Sequence, residues 1–263
     1  MRRKITIISA LCLLVGATAA YGATAINDYS GTNNTFAKGA GTAKNPVGTS
    51  FKQDLRAKNL DSTKAAFVLV NITSKFYGIK SQAVSGHFPT CSASKMVALK
   101  SDSFCPKASK FATGTVDAFL GDPTLTMSSR IPCHPGLDVF NAGGGKLWFL
   151  FTTSPTRTCA GLHTGDTAPY PGTVKQQGKW QVTTVPLPPD ISTKVANQPN
   201  FYGSLVHEVL KWGKVTNKFK GKTYANNVSF ACQNGKRPWE IDFTAVDGSG
   251  HRVTQKVTGK AAC

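Results

Sequence analysis

The chain is poor in acid. It has 13 Asp and Glu against 31 Lys and Arg, and its only glutamates are Glu208 and Glu240. That scarcity narrows the room for paired-carboxylate chemistry, which needs two acids across a bond. No C-x2-C knuckle is present, so the usual structural zinc modules are excluded. No G-x-S-x-G elbow is present either. Beyond the N-terminus no apolar run reaches the roughly 18 residues that a bilayer-spanning helix needs. No internal repeat is visible.

What the chain does have begins with an export signature. Arg2, Arg3 and Lys4 precede an apolar run from Ile5 to Gly16, and A-x-A sites follow at Ala17-Thr18-Ala19 and Ala23-Thr24-Ala25. This pattern predicts a signal peptide over 1–25, cleaved after Ala25, with Ala19 as second choice. Its removal takes three cations and Cys12 but no acid, and the formal charge falls from +18 to +15. Six cysteines remain: Cys91, Cys105, Cys133, Cys159, Cys232 and Cys263. An even count in an exported chain predicts disulfides, and proximity favours the sequential pairs 91–105, 133–159 and 232–263.

Residues 26–50 are rich in Gly, Asn, Thr and Ser and read as a flexible leader. Strand patterns follow: Ala65 to Thr73, Thr113 to Gly121, Thr124 to Ser129 and Gly178 to Leu187. Two more strands flank Asn141-Ala142-Gly143-Gly144-Gly145, and three lie near the C-terminus around Asn234-Gly235 and Asp247-Gly248. Tyr202 to Trp212 fits a helix or a strand. The expected fold class is all-β, an antiparallel β-sandwich over 51–263 with three disulfides and little helix.

Each chemical motif has a plainer reading beside it. His87, Cys91 and Cys105 offer three zinc ligands, but disulfide pairing is favoured for the cysteines. Ser92-Ala93-Ser94-Lys95 has the S-x-x-K spacing of a serine–lysine pair, without the companion motifs. His207-Glu208 opens like H-E-x-x-H, but Lys211 stands where the second histidine belongs. Gly143-Gly144-Gly145-Lys146 lacks the Ser or Thr of a phosphate loop. Glu240 and Asp242, two apart on a strand, share a face; with a histidine they give the alternative reading, a hydrolase of envelope polysaccharide. Trp148, Trp180, Trp212 and Trp239 fit either a sugar platform or core packing, and the core is favoured. No cofactor or metal is expected.

One basic segment stands out, "KWGKVTNKFKGKTY". Lys214, Lys218, Lys220 and Lys222 fall at even positions and share a face if the segment is extended. Such a stripe suits an anionic partner, an envelope polymer or a phospholipid surface. It equally suits an edge strand kept from aggregating by its lysines. Lysine rather than arginine argues against sequence-specific nucleic-acid recognition. The expectation is therefore a non-enzymatic protein, secreted or associated with the cell envelope.

Several phrases together resemble a family of exported actinobacterial six-cysteine proteins. They are Phe88-Pro89-Thr90-Cys91, Cys105-Pro106-Lys107 with Gly114, and Cys133 before "LDVFNAGGGKLWFLF". The Cys159 segment, "TVPLPP", Tyr202-Gly203-Ser204-Leu205 and the Cys232–Cys263 end complete the set. The resemblance implies an exported six-cysteine β domain and favours a strand over Tyr202 to Trp212. It brings no activity and no functional residues.

Overall fold

The computed structural model describes residues 27–31, 35–37, 39, 41–61, 63, 67–122, 125–159, 161–195, 198, 201–246 and 251–263. The expected signal peptide and the Asp247-Gly248 turn lie outside the described residues. The chain runs through β1 (Asn27–Ser30), β2 (Thr35–Phe36), β3 (Val47–Gly48), β4 (Phe51–Asn59), β5 (Val68–Tyr77) and β6 (Ile79–Ser81). A short helix, α1 (Ala93–Leu99), follows. Next come β7 (Lys110–Gly121), β8 (Ile131–Cys133), β9 (Gly136–Gly143), β10 (Lys146–Thr152), β11 (Tyr170–Gln177) and β12 (Trp180–Pro186). The last elements are β13 (Tyr202–Trp212), β14 (Thr216–Phe219), β15 (Lys222–Ala225), β16 (Asn227–Ser229), β17 (Lys236–Val246) and β18 (Arg252–Ala262).

The all-β class and the antiparallel pairing hold, but two stacked sheets do not describe the molecule. One large sheet runs β1-β4-β13-β7-β9-β10-β11-β12-β5-β17-β18 and curls until its two edges approach. Tyr29 of β1 stacks on Phe243 of β17 across that seam, with ring centroids 4.4 Å apart. Closing a sheet hides edges that would otherwise pair with other chains. The result is a nearly closed barrel whose inward side chains form one core.

Alternation builds that core. On β17, Arg237, Trp239, Ile241, Phe243 and Ala245 point in, and the residues between them are half-buried. On β4, Phe51, Gln53, Leu55 and Ala57 do the same. Each large apolar side chain buried this way contributes roughly 1.5–3 kcal/mol. Gly259 of β18 lies under Trp239, where an added Cβ would meet the indole at 2.1 Å. Only glycine leaves room for that ring.

Several expectations need correction. Residues 26–50 are not simply a leader, because β1 and β2 pair with β4, and β3 pairs with β16. The strand expected over Thr124 to Ser129 is not found in its described part, 125–129, where Met127–Ser129 form a turn of 3-10 helix. Tyr202 to Trp212 is strand β13, as the family resemblance favoured. The three disulfides follow the sequential pairing, with Cα–Cα distances of 5.3, 4.0 and 6.4 Å.

The two ends of the barrel are built differently. At one end, β5 finishes, β17 begins and a small sheet of β3, β16 and β6 packs on top. At the other, the loop after β10 and the segment after β12 cover the opening. The Cys133–Cys159 bridge ties the first of these to β8.

Candidate functional site

A bulge in β13 sets up the interior. Leu205 pairs with Ala118 and His207 with Asp117, so Val206 is extra and the strand's inward parity changes there. Leu205 points in before the bulge. Glu208, Leu210 and Trp212 point in after it. A carboxyl thereby lands inside an apolar barrel.

Glu208 borders a cavity of about 100 Å³ beneath the covered end. Leu69, Ile72, Val116, Leu205 and Tyr170 line it, and the Cys133–Cys159 bridge forms part of its wall. A smaller space of about 20 Å³ adjoins it deeper in the barrel and shares Ile72, Tyr170, Leu187 and Glu208. That inner space is also bordered by Gln53, Ser74, Thr183 and Trp212. Gln53 donates to Ser74 Oγ at 3.1 Å. Thr183 Oγ1 and Trp212 Nε1 are buried with no hydrogen-bond partner among the described residues.

The Glu208 carboxyl makes no hydrogen bond or ion pair among the described residues. Burial alone pushes its pKa up to about 7, because the charged form loses water and gains nothing in exchange. Burial likewise pushes the Tyr170 hydroxyl well above its ordinary value, with the nearby Glu208 charge adding to the effect.

His207 faces the opposite way. Its Nε2 lies 2.9 Å from Asp54 Oδ1 and its Nδ1 3.5 Å from Asp117 Oδ2. His134 Nδ1 sits 2.9 Å from the other oxygen of Asp117. Burial raises the Asp54 pKa, but hydrogen bonds from Lys52 and His207 outweigh it and hold the carboxyl below the usual range. This acid–imidazole chain straps β4, β13 and β7 together on the barrel's outer wall. The adjacent residues His207 and Glu208 thus occupy separate environments, which ends the H-E-x-x-H reading.

The other sequence candidates resolve structurally. Cys91 and Cys105 are bonded to each other, so they are no ligands for a metal with His87. The His87 ring stacks on Tyr224 at 3.8 Å. Ser92 is the N-cap of α1 and accepts from the Lys95 backbone N–H, while the Lys95 amine lies over the Phe104 ring. Glu240 and Asp242 do share a face, but Lys75 and Lys256 pair with both. Gly143, Gly144 and Gly145 all take positive φ and turn the β9–β10 hairpin. Trp212 and Trp239 are core residues, and Trp148 and Trp180 are half-buried.

The lysine stripe takes a different shape from a single extended face. β14 and β15 form a hairpin closed by Lys220-Gly221, both at positive φ. Phe219 pairs with Lys222 and Lys218 with Thr223, which puts Lys218 and Lys222 on opposite faces. Lys220 occupies the tip. Asn217, Phe219 and Tyr224 rest on the His87 region, and Asn217 Nδ2 donates to the His87 carbonyl. Lys214 lies just before the hairpin with its stem over Gly48. All four lysines are exposed, and none makes an ion pair among the described residues. A shallow groove at the hairpin's base is bordered by Lys107, Lys211 and Val215.

Compared with protein-family models, curated proteins and solved structures, the chain matches none.

Proposed function

We propose that this is an exported, non-enzymatic barrel protein that associates with an anionic polymer of the cell envelope through its lysine-bearing hairpin. The observation that carries the reading is the hairpin itself. It spreads Lys218, Lys220 and Lys222 over two faces and a tip, with Lys214 at its root and Lys107 and Lys211 beside it. Cations presented in several directions suit a flexible polyanion better than a flat surface. The N-terminal export pattern and the three disulfides, typical of oxidising compartments, support the location outside the cytoplasm. The hydrolase alternative has less support, because both of its carboxylates are held by lysines.

The test is retention on immobilised wall teichoic acid, with anionic vesicles run in parallel. Retention should weaken steeply with salt and disappear near molar concentration, where the screening length is roughly 3 Å. Changing Lys214, Lys218, Lys220 and Lys222 together to Gln should abolish retention at physiological salt while leaving the fold intact. Unchanged retention would sink the reading. Capture by vesicles but not by the polymer would reassign the partner to a membrane surface.

A further inference from the structure

We propose that the barrel interior is a binding site for a small uncharged molecule with a ring-sized apolar body and one hydroxyl group. The apolar body would lie against Leu69, Ile72, Val116 and Leu205, with the hydroxyl at the Glu208 carboxyl.

Three independent features of the structure support this. The first is space. The cavity of about 100 Å³ is of the same order as the engineered apolar cavity of roughly 150 Å³ known to admit benzene. Close-packed interiors rarely leave such room. The second is the carboxyl. A largely buried polar group without a partner is costly, and Glu208, 9% exposed, borders the cavity with none among the described residues. The third lies deeper. Thr183 Oγ1 and Trp212 Nε1 are also buried and unpartnered, on residues that line the adjoining space. The interior thus combines an apolar wall with polar groups short of hydrogen bonds, as small-molecule sites do.

The charge of the ligand follows from what surrounds Glu208. The titratable groups lining the two spaces are Glu208, Tyr170 and, at the solvent edge, His163, whose side chain is 79% exposed. An ammonium group would form a buried ion pair with no further partner to offset its desolvation. A carboxylate would meet an acid and an apolar wall. A hydroxyl both donates and accepts, so it serves Glu208 in either protonation state. The raised pKa of Glu208 makes both states accessible near neutral pH. Leu162 and His163, in the loop tied down by Cys133–Cys159, border the side from which a ligand would enter.

The experiment is a methyl-detected NMR titration of the disulfide-intact protein at pH 7 with phenol, toluene, benzylamine and benzoate. Phenol should shift the methyl signals of Ile72, Val116 and Leu205 saturably and bind roughly tenfold more tightly than toluene, the worth of about one hydrogen bond. Benzylamine and benzoate should bind more weakly than phenol. Glu208→Leu should erase the preference for phenol over toluene, and Glu208→Gln should keep it. No saturable shift with phenol would overturn the proposal. So would equal affinity for toluene, tighter binding of either charged probe, or a phenol preference surviving in Glu208→Leu. Should the Leu variant fail to fold, the four-probe comparison in the unmodified protein still decides.

Discussion

Two buried ionisable side chains, Arg237 and Glu208, lie toward opposite ends of the barrel and are treated in opposite ways, while Arg130 near the Glu208 end is hydrogen-bonded as Arg237 is. At the end where β17 begins, Arg237 is fully buried, and burial lowers its pKa to about 10. Its guanidinium donates to the Tyr77 and Ala231 carbonyls and to Ser229 Oγ, and it lies over the Phe36 ring. Those bonds fasten the small β3–β16–β6 sheet onto the barrel. Toward the other end, Glu208 is buried against a cavity with no such partners. The buried arginine is held by three hydrogen bonds and a ring face, with only its Nε left without a partner among the described residues. A buried acid left bare beside open space has the environment of a binding group.

Arg237→Ala should have the largest effect. It leaves two carbonyls and a hydroxyl unpaired and opens a void, and the expected loss is about 4 kcal/mol in urea unfolding. A loss under about 1 kcal/mol would mean that this end is not held by its arginine. Replacing Cys133 and Cys159 with Ser should cost roughly 3.5 kcal/mol in the chain-entropy model. It should also speed amide exchange in the loop after β10 more than in β17. Uniform exchange would show that the bridge does not hold the cover.

Glu208→Gln should stabilise the protein, and only at higher pH. The folded-state pKa of about 7 lies above the ordinary glutamate value of 4.5. Between those values the folded state holds the proton more firmly, so wild-type stability falls as pH rises from about 4.5 to 7 and then levels off. The amide variant should lack this decline and gain up to about 3 kcal/mol at pH 8, with no gain at pH 4. Equal gains at both pH values would point to packing rather than ionisation. Ser92→Ala, which touches neither end, should cost about 1 kcal/mol through the α1 cap alone. A larger loss would place Ser92 in more than a capping role.

The disulfides were legible because cysteine count, export pattern and short spacing agreed. The β class was legible from alternation and turn residues, and Asn234-Gly235 indeed turns with both residues at positive φ. The closed sheet was not legible, since β4–β13 and β5–β17 are contacts between segments far apart in sequence. Glu208 was hidden by the Val206 bulge. A strict two-residue period through Leu205 puts His207 inside, whereas the extra residue puts Glu208 there instead. The lysine hairpin was partly readable. Lys220-Gly221 between two short polar runs is a turn signal, and the even spacing of the lysines masked it.

The most direct test of the contrast between the two ends is a carbon-13 NMR titration of the Glu208 side-chain carboxyl in the folded protein. The carboxyl should titrate with a midpoint near 7, and the methyl signals of Ile72 and Leu205 should move with it. A midpoint below 5 would show a solvated or paired carboxylate, and the interior would then be ordinary core rather than a site.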